Sequence, residues 1–222
     1  AIRKITASSG IITTFAGGKG TDAFEEPNDC FLDQHGGLLV ADVQSQQITR
    51  VDLATRTVTL VAGDGQKARK GDAGLALKAS IKGARAICLD SQGNLYICER
   101  EGNGIRRVDG DGIMSTVAGT GERGYAGDGG PAVASTWDGP KAIRCDAQDN
   151  LIVVDTENHA VRRIDRATSI VTTVAGGRRG SGGDGGPAVT AGLDRPHACS
   201  IDGDGSLYIA DSDNHRIRRV QS

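Results

Sequence analysis

"LIVVDTENHAVRRID" (residues 151–165) decides the architecture. Two runs of β-branched and aliphatic residues flank the polar stretch 156–159, the first run closing on Asp155 and the second carrying Arg162 and Arg163. Short apolar runs bounded by Asn and Asp read as two strands joined by a tight turn. The unit recurs as "LLVADVQSQQITRVD" (38–52), "LYICEREGNGIRRVD" (95–109) and "LYIADSDNHRIRRV" (207–220). Its closing acids, Asp42, Glu99, Asp155 and Asp211, are spaced 57, 56 and 56 residues apart. A second register, "DCFLD", "AICLD", "AIRCD" and "ACSID", ends in Asp33, Asp90, Asp146 and Asp202. A third comprises "VTLVAG" (58–63), "MSTVAG" (114–119) and "IVTTVAG" (170–176), with an earlier copy, "IITTFAG" (11–17). Four short strands per repeat, at a period above 40 residues, predict the blades of an all-β propeller. No segment sustains a helical apolar period, which excludes a helical solenoid.

Composition agrees. Glycine is abundant, 33 of 222 residues, and is neither collagen-periodic nor in one block, as many turns between short strands require. The net charge of −2 and 3% aromatic content disfavour nucleic acid as a partner, since few cations and few stacking rings are on offer. No apolar run approaches the roughly 20 residues that span a bilayer, so no membrane segment is expected. Five cysteines (Cys30, Cys88, Cys98, Cys145, Cys199) lie in apolar runs with no CxxC pair and read as small apolar side chains. The chain opens on Ala1 without a signal-type apolar region, so any targeting segment is expected to lie outside this stretch.

"DTENHAVRRID" (155–165) and "DSDNHRIRRV" (211–220), with the flanking "GDGGPA" and "TTVAG", resemble NHL repeats, and most of all the bacterial subgroup with GDGGPA between blades. The resemblance implies an NHL-type β-propeller, commonly of six blades. One domain, 1–222, is expected, with a partial blade at 1–17 and four repeats of four strands at 28–63, 85–119, 141–176 and 197–220. The N-terminal piece matches only the third and fourth strands of a blade, and the C-terminal copy stops after a third strand. The chain then makes about two-thirds of a six-bladed propeller. The alternative is a closed four-bladed ring in which the N-terminal fourth strand completes the last blade. An open arc exposes blade edges and invites self-association.

In a propeller the loop entering each first strand and the turn after each second strand share one face. The repeat places Asn28, Arg85, Lys141 and His197 at one equivalent position opening each first strand. They read either as a solvated rim or as a ligand-binding channel mouth, where guanidinium, ammonium and imidazole suit carboxylate or phosphate. Asp42, Glu99, Asp155 and Asp211 read as structural acids, held by turn amides and the paired arginines. His159 and His215 occupy equivalent turns of neighbouring blades, too far apart to share one zinc. "GTGERG" (119–124) matches GxGxxG but precedes a loop and a strand, where no dinucleotide site forms. No catalytic constellation, metal site or cofactor is expected.

A non-enzymatic binding scaffold is the first reading, with a protein or a small anionic or polar ligand as partner. The alternative is a channel-mouth hydrolase or lyase resembling six-bladed lactonases, which hold a metal with Glu, Asn and Asp. Here Glu26, Asn28 and Asp29 fit in the first blade only, and cations at the other mouth positions would repel a dication. The resemblance implies an extracytoplasmic bacterial protein, while the unpaired cysteines point towards a reducing compartment. The loop "AGDGGPAVAS" (126–135) recurs as "GGDGGPAVTA" (182–191) and, worn, as "KGDAGLALKA" (70–79), always between blades, and so reads as a structural joint.

Overall fold

The computed structural model describes residues 1–18 and 23–222. Strands and single 3-10 turns make up its regular structure, with no α-helix among the described residues. The strands β1 (Ile2–Ile5) and β2 (Ile12–Ala16) form a two-stranded antiparallel sheet. Blade 1 is β3 (Pro27–Leu32), β4 (Gly37–Asp42), β5 (Gln47–Asp52) and β6 (Val58–Ala62), paired in that order. Blade 2 is β7 (Ala84–Leu89), β8 (Leu95–Glu99), β9 (Gly104–Val108) and β10 (Met114–Ala118), and blade 3 is β11 (Ala142–Cys145), β12 (Leu151–Asp155), β13 (Ala160–Ile164) and β14 (Val171–Gly176). Blade 4 is β15 (Ala198–Ile201), β16 (Leu207–Asp211) and β17 (Arg216–Val220).

The arc of four repeats and an N-terminal partial blade is thus the expected propeller, with three strands in the last repeat. The closed four-bladed ring is not what forms. β2 pairs only with β1, and β17 carries no fourth strand among the described residues. The extra third strand, β1, keeps β2 in a sheet of its own.

Burial follows from stacking blades face to face. The second strands β4, β8 and β12 are buried at every residue, because a blade between two others has no solvent face. Each seam holds an apolar cluster: Ile48, Ile81, Ile97 and Met114 between blades 1 and 2; Ile105, Trp137, Ile143 and Val153 between 2 and 3; Val154, Val161, Leu193 and Ile209 between 3 and 4. The inner strands β3, β7, β11 and β15 lie side by side along the axis.

The glycine-rich joints close these seams. Ala76 and Ala132 sit in 3-10 turns with about 1% exposure or less and plug the seams, accepting N–H bonds from Gly63 and Gly119, both at 2.9 Å. Gly127 has φ +99°, and a Cβ there would lie 2.7 Å from Ser135 Cα, so both conformation and space demand glycine. Each joint aspartate takes the first arginine of the RR pair: Asp72 with Arg106 at 2.7 Å, Asp128 with Arg162 at 2.8 Å, Asp184 with Arg218 at 2.6 Å. The same arginines reach the acid closing the second strand: Arg106 to Glu99 at 3.6 Å, Arg162 to Asp155 at 3.4 Å, Arg218 to Asp211 at 3.6 Å. One guanidinium therefore ties joint to blade in three successive repeats. Blade 1, whose preceding joint "GGKGTDAFEEP" lacks the motif, has Thr49 at that position.

Candidate functional site

The four acids are buried, and each accepts a backbone amide from the loop that leads into a first strand. Asp42 accepts from the amides of Glu25 (2.7 Å) and Glu26 (3.0 Å), Glu99 from Lys82 (3.1 Å), Asp155 from Asp138 (2.9 Å) and Asp211 from Asp194 (2.7 Å). These amides belong to the loop leading into each first strand, two to three residues before the mouth position. Burial outweighs the arginines at two of them: it pushes the Glu99 carboxyl up and raises Asp155 to about 6. Unfolded, Asp155 loses its proton near the ordinary aspartate value of 3.8; folded, it keeps the proton to about 6. Its contribution is therefore fully present below about pH 4 and lost as pH rises through 6. A carboxyl ¹³C titration of the native protein should show Asp155 titrating near pH 6 and Asp165, whose pKa turn amides lower, well below it.

A second clasp holds the same loop from the preceding blade. Gln46, Asn103, His159 and His215 share one left-handed turn position, with φ of 58°, 49°, 55° and 55°. Three of these side chains accept an amide from the next blade's incoming loop: Gln46 from Gly83 (2.7 Å), Asn103 from Gly139 (3.2 Å), His159 Nδ1 from Arg195 (3.1 Å). His159 thus links neighbouring blades through Nδ1, which also lies 3.4 Å from Asp194 Oδ1, and His215 is exposed at the end of the arc. His159→Asn keeps both the acceptor and the left-handed turn and should leave stability within about 0.5 kcal/mol. His159→Val, β-branched and without an acceptor, should cost about 2 kcal/mol in urea unfolding.

Between these clasps the sequence-predicted residues come together in pairs. Arg85 Nη1 donates to Asn28 Oδ1, and Asn28 Nδ2 in turn donates to the Glu26 carbonyl at 3.1 Å. Lys141 Nζ lies 2.8 Å from His197 Nε2 and 3.6 Å from Glu157 Oε1. Lys141 is 7% exposed. Its pKa is lowered by burial, partly offset by Glu157, and lowered further by the charges of Arg195, Arg100 and Arg85. His197 is lowered by burial and then by the Lys141 charge, so at neutral pH its Nε2 accepts from the ammonium. Burial and Arg100 also lower Arg85. Four cations and one imidazole therefore share a short stretch of the mouth, with Glu157 the acid beside Lys141, Asp213 beside Arg195 at 3.8 Å, and Glu26 and Asp29 acting on Arg85. Glu157 is already taken by Arg195 in a bidentate pair at 2.8 and 2.9 Å. A recess of ≈ 510 Å³ opens beside them, lined by Arg100, Glu101, Arg123, Asp138, Gly139 and Glu157. One level down, Asp29 pairs with Arg144 at 3.3 Å and accepts the Ile87 amide at 3.1 Å.

Arg100, Glu157 and Arg195 escape a reading by equivalent positions. The repeat partners of Arg100 are Thr156 and Ser212 and those of Arg195 are Gly139 and Gly83, so these two are peculiar to one blade, whereas Glu157 recurs as the acids Glu101 and Asp213. The signal that could find them is the topology itself, which brings the turn of one blade against the incoming loop of the next.

Repeat, sheet order and inner-strand mouth together define an NHL-type β-propeller. Residues 2–126 match the family model described as the teneurin NHL domain, and residues 193–220 match the NHL repeat. The chain belongs to this family of teneurin-type NHL domains. It is 31% identical over 219 residues to teneurin-3 of Danio rerio, covering 84% of this chain and 8% of that protein. It is 27% identical over 179 residues to NHL repeat-containing protein 2 of Bos taurus, covering 75% of this chain and 24% of that one. The chain thus spans less than a tenth of the teneurin-3 it matches. Among solved structures, an auxiliary nutrient binding protein from Bacteroides thetaiotaomicron superposes with TM-score 0.74 at 20% identity, over 98% of this chain and 52% of that one. A gluconolactonase from Xanthomonas campestris gives 0.62 at 16%, over 90% and 60%. At such identities these likenesses show the fold alone. No helix among the described residues is long and apolar enough to cross a membrane.

Proposed function

We propose that this chain is a non-enzymatic binding propeller whose channel mouth takes a small anionic ligand. The observation that carries this is the buried Lys141 ammonium, shared with a neutral His197 and facing Arg85, Arg100 and Arg195 while its one near acid is occupied. Like charges so placed repel, and a carboxylate or phosphate among them would relieve the repulsion and accept several charge-assisted hydrogen bonds. The nutrient-binding name of the Bacteroides neighbour supports a binding role. The hydrolase reading is weaker on chemistry. Asn28 is engaged by Arg85 and Asp29 by Arg144, so a guanidinium stands beside two of the three donors a lactonase-like metal would need.

Thermal-shift and calorimetric titrations with inorganic phosphate, succinate and glucose test the reading. Phosphate or succinate should raise Tm and glucose should not. Stabilisation by glucose alone, or by none of the three, would overturn it and leave a protein-binding face as the surviving alternative.

A further inference from the structure

The sulfurs of Cys88 and Cys145 lie 3.3 Å apart across the seam between blades 2 and 3. The repeat does not predict the meeting. Cys88 stands where blade 3 has Arg144, and Cys145 stands where blade 2 has Leu89. The pair arises because the inner strands β7 and β11 lie side by side and bring together positions one residue apart in the repeat. The two thiols differ in access: Cys88 is 1% exposed within the apolar cluster of the seam, and Cys145 is half-buried at its margin. Cys30, Cys98 and Cys199 make no sulfur–sulfur contact, and all five cysteines are free thiols in this structure.

We propose that Cys88 and Cys145 form an oxidisable dithiol that low-molecular-weight disulfides convert to an inter-blade disulfide, locking blade 2 to blade 3. The Cys145 thiolate attacks one sulfur of the small disulfide and releases one small thiol. Cys88 then gives up its proton and attacks Cys145 Sγ, and the second small thiol leaves. The two protein thiols lose two electrons and two protons, and the small disulfide gains both. Closing the contact from 3.3 Å to a bond of about 2.05 Å asks for a shift of a little over 1 Å, within reach of side-chain rotation. Burial pushes the Cys88 thiol well above its ordinary pKa, which fits it for the second step, where the attack is intramolecular, and not the first. The bond would close a loop of more than fifty residues between neighbouring blades. The proposal does not depend on what the mouth binds.

The test incubates the folded chain of residues 1–222 with oxidised glutathione and maps it by mass spectrometry after trypsin digestion. Cys88 and Cys98 fall in fragment 86–100, and Cys145 falls in fragment 145–162. The expected product has lost about 2 Da and links these two fragments. The link persists in Cys98→Ala and disappears in Cys88→Ser. Tandem spectra of the wild type locate the bond should a variant fail to fold. The oxidised chain should melt about 5 °C or more higher, reversibly with dithiothreitol. Three results would each overturn the proposal: Cys145 halted as its glutathione adduct, a link that survives Cys88→Ser, or a crosslinked chain no harder to unfold than the reduced one.

Discussion

Arg162→Met should lower stability by about 3–5 kcal/mol, while the same change at its neighbour Arg163 should stay within about 0.5 kcal/mol. The two arginines are adjacent in sequence and opposite in environment. Arg162 is fully buried and Arg163 is 37% exposed in its side chain. Arg162 donates to Asp128 at 2.8 Å, to the Thr136 carbonyl at 2.8 Å and to the Ala126 carbonyl at 3.0 Å, and reaches Asp155 at 3.4 Å. Its guanidinium also stacks over Trp137, 4.4 Å from the ring centre. Methionine matches the length but donates nothing, so the Thr136 and Ala126 carbonyls and the Asp128 and Asp155 carboxyls each lose a donor together. Arg163 holds only the half-exposed Asp165, at 3.1 Å, an arrangement worth little in water. Urea unfolding of both variants measures the contrast, and a Tm drop of roughly 10 °C should accompany Arg162→Met. Equal midpoints for the two variants would remove the joint arginine as the tie between blades.

That asymmetry shows what a repeat reveals and what it hides. Four strands per unit, the closing acids and the joint aspartates are legible because each seam poses the same packing problem and is answered by the same residue types. The structural reading of Asp42, Glu99, Asp155 and Asp211 rests on their likeness; all four accept loop amides, and Glu99, Asp155 and Asp211 also meet an arginine. The acceptor role of Gln46, Asn103 and His159 is harder to see, since three different side chains do one job; only their shared left-handed conformation unites them. Closure is harder still. Strand count at the two ends allows a four-bladed ring, and the pairing of β2 with β1 alone decides against it. The mouth divides in the same way. Arg85, Lys141 and His197 are found by their equivalent position, whereas Arg100, Glu157 and Arg195 reach the mouth from turns and loops of adjacent blades, a relation that exists only in three dimensions.

Lys141→Met should weaken binding of phosphate or succinate at least tenfold while leaving Tm unchanged or raised. The folded state holds this ammonium 7% exposed among three arginines, so removing the charge relieves repulsion, and methionine fills the same length. The ligand loses a charge-assisted donor worth about 1.5–3 kcal/mol, which corresponds to ten- to hundredfold in affinity. The pH dependence has a definite sign. His197 titrates below its ordinary 6.5 in the folded chain, by burial and by the Lys141 charge, so the unfolded state takes up its proton first. Its contribution is therefore fully present above pH 6.5 and lost as pH falls through the depressed folded value. Anion affinity runs the opposite way over that window. Protonated His197 no longer accepts from Lys141 and adds a cation to the mouth, so acid should tighten anion binding as it loosens the unliganded fold. His197→Asn, which cannot take up a proton, should remove the His197 share of both trends, and the difference between wild type and variant from pH 5 to 8 measures that share, since the titrations of Asp155 and of the ligand itself are common to both. An affinity indifferent to Lys141→Met, or one that weakens as His197 protonates, would place the ligand somewhere other than this cluster of cations.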